Sequence, residues 1–175
     1  MANAVEPIES GRPYDDRVDR IGVWIRRAAM CLLAAVIIVA LSNVVGQRAI
    51  SARAASSQAT LDLRAPSAVR PGLLFQVKIT ITPKAVLPDA QLVLGSGWVD
   101  GLTMNTIEPG PSTEKSGPGG SLVFDLGTLQ PGQPWVQFLD YQVNPTSLSR
   151  RHQVLTVLSN SEPVVTLSRT MTVVP

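Results

Sequence analysis

Two apolar patterns divide the 175-residue chain. Between Arg27 and Arg48 the run AAMCLLAAVIIVALSNVVGQ carries no charge. At about 1.5 Å per residue it spans roughly 30 Å, the thickness of a bilayer hydrocarbon core, and predicts a transmembrane helix over 28–47. Ahead of it, Val18, Ile21 and Ile25 fall three and four apart, with Asp15, Asp16 and Asp19 in the first turns. That spacing predicts a short juxtamembrane helix at the end of a tail, 1–27, whose first thirteen residues are too polar to pack. Its apolar face suits the membrane surface, with docking of a cytoplasmic protein as the alternative.

Residues 48–59 (RAISARAASSQA) are small and polar, and predict a linker. After them the period switches to two. In LLFQVKITIT, Phe75, Val77, Ile79 and Ile81 alternate with Gln76, Lys78, Thr80 and Thr82, a strand with one wet face. Further strands are expected near 60–65, 90–94, 102–107, 121–126, 135–143, 152–159 and 163–173. Arg70-Pro71-Gly72, Leu87-Pro88-Asp89, Gly95-Ser96-Gly97, Pro109–Gly120 and Pro131-Gly132 punctuate them as turns. Many short strands without a helical period indicate an all-β sandwich or barrel over 60–175, with room for seven or eight strands. In PWVQFLDYQV, Leu139, Tyr141 and Val143 share a face while Phe138 lies on the other, so a bulge or a strand apolar on both sides is expected.

The apolar run also raises the question of export. Ala52-Arg53-Ala54 resembles a signal-peptide cleavage site. The leading segment of 27 residues, with five acids beside five arginines, is unlike the short basic start of such a signal, and the apolar run exceeds its usual 7–15 residues. The reading is a retained anchor, with a mature chain beginning at Ala55 as the alternative. Arg12, Arg17, Arg20, Arg26 and Arg27 precede the helix, whereas Arg48 and Arg53 closely follow it. That bias predicts a single-pass protein with a cytoplasmic amino terminus and an extracytoplasmic domain; Trp24, Arg26 and Arg27 are the expected interface residues.

Charge and cysteine content narrow the function classes. The net charge of +2 comes from interspersed signs without the basic stripe of a nucleic-acid binder. The one cysteine, Cys31, lies in the apolar run, which excludes an intrachain disulfide.

The segments LDLRAPSAVRPGLLFQVKITIT and LVFDLGTLQPGQPWVQFLDYQV resemble a bacterial surface family, domain of unknown function eleven. Arg70-Pro71-Gly72 matches its early turn, and Asp125-Leu126-Gly127-Thr128-Leu129-Gln130-Pro131-Gly132-Gln133 matches its later Asp-Leu-Gly-x-Leu-x-Pro-Gly-Gln-like element. The likeness runs from about 60 to 160, in one copy rather than a tandem array. It implies an immunoglobulin-like antiparallel sandwich on the outer face of a bacterial membrane, without catalytic residues. The chain departs from the family at Thr82–Asp89, where an Asn-x-Gly turn is usual.

Candidate chemistry is sparse. His152, the single histidine, follows Arg150-Arg151 and has no nucleophile motif to serve. A zinc site needs several His or Cys ligands, so no metal and no cofactor are expected. Asp62, Asp89, Asp100, Glu108, Asp125 and Asp140 are scattered singly, as turn carboxylates commonly are. Trp98 and Trp135 are either interface anchors or core aromatics. Ser42 and Gly46 form a small-xxx-small pair with Asn43 beside them, a pattern for helix association unless Asn43 is wetted at the interface. The resulting expectation is a non-enzymatic, membrane-anchored interaction module, an accessory subunit of an envelope or membrane-protein assembly. The alternatives are an adhesion or wall-binding protein, and an enzyme built on loop carboxylates.

Overall fold

The computed structural model describes residues 16–41 and 48–174. The chain forms two units, Met1–Ser42 and Asn43–Pro175. In the first, α1 runs unbroken over Asp16–Leu41. Its stretch Ile21–Leu41, with a mean hydropathy of 2.1, is long and apolar enough to cross a membrane. The helix thus starts ahead of the expected span at 28, because the juxtamembrane turn and the apolar run join without a break. Met30, Leu32, Leu33, Val36, Ile38 and Leu41 are all exposed, so apolar surface faces outward right around the helix. The Arg27 guanidinium lies 5.8 Å from the centre of the exposed Trp24 ring, and Arg26 is exposed beside it.

The second unit is an immunoglobulin-like β-sandwich. One sheet contains β1 (Ala49–Ala55), β2 (Ala59–Pro66), β4 (Leu74–Pro83), β9 (Trp135–Val143) and β6 (Leu102–Glu108), in the order β1-β2-β4-β9-β6. The other contains β3 (Ala68–Val69), β11 (Glu162–Val173), β10 (Arg150–Ser159), β5 (Leu87–Leu94), β8 (Leu122–Leu129) and β7 (Thr113–Ser116), ordered β3-β11-β10-β5-β8-β7. All pairs are antiparallel except β3 with β11. Alternation decides the layers. Phe75, Val77, Ile79 and Ile81 point inward and are buried, as do Leu139, Tyr141 and Val143 on β9. They meet Leu92, Leu94, Phe124, Leu155 and Val157 of the facing sheet. Each such side chain contributes about 1.5–3 kcal/mol by leaving water.

Two expectations are corrected. Residues 48–59 are not a linker, since Ala49–Ala55 pairs with β2 from Ala49↔Pro66 to Ala55↔Thr60. Ala52 and Ala54 are half-buried and pack against the core. The Pro109–Gly120 stretch is not wholly a turn: it contains the exposed edge strand β7. The Phe138 puzzle resolves without a bulge in β9. Its register with β4 is continuous, and Phe138 faces outward with the Lys78 ammonium 5.5 Å from its ring centre.

Candidate functional site

The flanks of the sandwich differ, and the difference locates the site. On the β1 side, β11 packs against β1 and β2. Arg169 of β11 crosses the layer gap there, donating to the Ala65 carbonyl at 3.1 Å and to the Pro66 carbonyl. On the other side the edge strands β6 and β7 leave a slot of about 310 Å³. Leu102, Met104, Ile107 and Leu122 give it an apolar lining, Asn105 and Glu114 stand exposed at its rim, and Trp98 and Tyr141 line its inner part.

Trp98 reaches this place through a local device. Ser96–Trp98 forms one 3-10 turn, and the Gly95 N–H donates to the Val154 carbonyl at 3.0 Å, pinning the turn to β10. A Cβ on Gly97 would overlap the His152 carbonyl, so only glycine lets the turn lie on that strand. The indole then drops into the core. Its ring lies 6.0 Å from Tyr141, which stacks on Phe75 at 5.5 Å, and the Arg169 guanidinium lies 5.8 Å from the centre of the indole ring.

Two polar atoms of the slot's inner side chains stand without partners. The Trp98 Nε1–H and the Tyr141 hydroxyl are both buried and make no hydrogen bond. Burial, reinforced by the charge of Glu114, raises the Tyr141 phenol well above its ordinary range. Buried polar groups in native proteins are nearly always paired, so each exception asks for an explanation. An indole N–H only donates, whereas a phenol hydroxyl donates or accepts. The slot thus suits an apolar group that ends in a neutral acceptor oxygen, and the rim carboxylate disfavours an anion.

The residues singled out by sequence fall elsewhere or change role. Trp98 is not an exposed anchor: it is fully buried and meets the slot from within. Trp135 is half-buried against the core, its Nε1–H donating to Gln137 Oε1 at 3.4 Å. Ser42, Asn43 and Gly46 lie outside the described residues, as do 1–15 of the tail. His152 is exposed on β10 opposite Thr170. The carboxylates do not converge. Asp62 pairs with Arg53, Asp140 accepts from Gln76 at 3.0 Å, and Asp125 accepts the N–H of Gly127 at 3.0 Å. That last bond holds Gly127 at φ +69°, which explains the Asp-Leu-Gly spelling. Met104, Glu114 and Tyr141 went unrecognised as a group because no local signal joins three separate strands.

No protein-family model and no curated protein matches the chain. Among solved structures, it is similar to AvmM, which catalyses macrocyclization in alchivemycin A biosynthesis, at 8% identity and a TM-score of 0.40, over 74% of this chain and 90% of that one. CaCohA2 from Clostridium acetobutylicum aligns at 14% identity and a TM-score of 0.40, over 61% of this chain and 84% of its own. The human F-spondin reeler domain aligns at 10% identity and the same score, over 67% and 90%. What these proteins bind or catalyse does not transfer at such similarity.

Proposed function

We propose that the chain is a membrane-anchored interaction module, held by α1, with its sandwich on the extracytoplasmic side of a bacterial envelope. The slot between β6 and β7 is where it takes a group from a partner, as an accessory subunit of a membrane-protein assembly and without catalysis of its own. The observation that carries this reading is the pair of buried, unpartnered atoms, Trp98 Nε1 and the Tyr141 hydroxyl, in an otherwise apolar slot. The fitting group is neutral and ends in an amide or hydroxyl, with a positive charge beside it to meet Glu114. Anchoring is supported by the outward apolar surface of α1 and by the basic bias of its leading flank. Strand β1 supports retention too, because a cut after Ala54 removes all of it but Ala55. The likeness of residues 60–160 to domain of unknown function eleven supports the surface setting.

The test is photocrosslinking in intact cells from a benzophenone amino acid placed at Asn105, on the rim, and separately at Val86, far from the slot. A discrete adduct from position 105 alone is the expected result. Equal adducts from both positions, or none from 105, would overturn the slot as a partner site.

A further inference from the structure

The strand ends of the sandwich are as unlike as its flanks. Backbone bonds gather several distant segments at the end where β1 begins. Ala49 pairs with Pro66, and the Thr172 N–H donates to the Ser67 carbonyl. The Gly72 N–H donates to Val143, the Asn144 N–H to Gly101, and the Val173 N–H to Ser149. Beyond α1, the exposed large apolar residues among the described residues are Ile50, Leu73, Leu74, Val86, Val99 and Leu148. All but Val86 lie at this one end. Leu74 and Leu148, each 61% exposed, are as open as many residues of α1.

Cations gather there as well. Arg48, Arg64, Arg70 and Arg150 are exposed on the same segments, against two acids, Asp100 and the half-buried Asp140, which accepts from Gln76. Among the described residues the ion pair is Arg53 with Asp62, so these four arginines have no carboxylate. The opposite end, with the loops at 56–58, 84–86, 130–134 and 160–161, mixes Lys84 with Asp89 and Glu162 and shows only Val86. Leucines at loop tips ringed by arginines are the chemistry of an interfacial contact, apolar tips entering the headgroup zone while guanidinium groups meet phosphate. A protein partner is the weaker fit, because Leu73, Leu74 and Leu148 do not share one cleft: the groove of about 500 Å³ at this end, lined by Arg64, Leu74, Lys78 and Phe138, takes in Leu74 alone of the three. Chain length points the same way. Seven residues, 42–48, separate α1 from β1, and at full extension they reach about 25 Å.

We propose that this end of the sandwich rests on an anionic lipid surface. Leu73, Leu74 and Leu148 enter the interface, and Arg48, Arg64, Arg70 and Arg150 bind lipid phosphates. The proposal depends on α1 being a retained anchor. It makes the membrane a second binding surface, so that the slot is held at a defined height and orientation for a partner in the same membrane.

The experiment uses the full chain with Cys31→Ser and one dye-labelled cysteine, at Leu148→Cys or at Val86→Cys. Each is reconstituted in phosphatidylcholine–phosphatidylglycerol vesicles containing a headgroup-nitroxide lipid. The expected result is quenching about threefold stronger at 148 than at 86, reduced by added salt and by the combined Arg64→Glu, Arg70→Glu and Arg150→Glu changes. Equal quenching at both positions in protein that floats with the vesicles overturns this proposal and leaves the anchor standing. Protein that does not float overturns the anchored reading, and this proposal with it.

Discussion

Arg169 and Tyr141 face the same interior from neighbouring parts of one core, and they end differently. On the β1 flank the two terminal nitrogens of Arg169 find backbone carbonyls and join the sheets, while its Nε stays buried and unpaired and burial lowers the pKa. On the β6–β7 flank the Tyr141 hydroxyl and the Trp98 Nε1–H find nothing. A buried hydrogen bond adds only about 1 kcal/mol net, whereas an unmet buried group costs about 1–3 kcal/mol. The closed flank therefore uses its polar group for the fold. The open flank carries a cost that only an arriving group removes.

The comparison is broken most severely by Gly97→Ala, because the added methyl meets the His152 carbonyl backbone. It should lower stability by about 3 kcal/mol, read from denaturant unfolding, and should displace Trp98 from both flanks at once. Next comes Arg169→Met. It keeps the length of the side chain but leaves the Ala65 and Pro66 carbonyls without their donor, for a loss of about 2 kcal/mol.

Alkaline pH sharpens the contrast on the open side. Because burial raises the Tyr141 pKa, the folded state keeps a proton that the unfolded state releases near pH 10. The stabilisation is complete below about pH 10 and declines above it, by about 1.4 kcal/mol per pH unit. Tyr141→Phe should abolish that decline, measured by unfolding at a series of alkaline pH values.

Much of the fold was legible because it rests on local period. The strand at 135–143 and the alternation at 75–82 follow from inward and outward positions that one can count. Strand β1 was not legible, since Ala52 and Ala54 offer no contrast in size or polarity with their neighbours, and pairing with β2 alone makes them a strand. The burial of Trp98 is one of the two readings the sequence offers, and the structure selects it. Gly95-Ser96-Gly97 reads as a turn, but only the β10 backbone against Gly97 shows that the turn folds inward. The slot and the basic end were hidden by distance along the chain. Glu114 meets Tyr141 from a separate strand, and Arg48, Arg64, Arg70 and Arg150 look dispersed until strand pairing collects them.

The central claim is that the unpaired atoms of the open flank await a partner, and Tyr141→Phe tests it most directly. Removing the hydroxyl takes away an unmet group, so the variant should be more stable at neutral pH by about 1–3 kcal/mol, read from thermal unfolding. In the same membranes, crosslinking from position 105 should fall by about tenfold, because a buried hydrogen bond to the partner is lost. A stable Tyr141→Phe protein that crosslinks as well as the original would contradict the account.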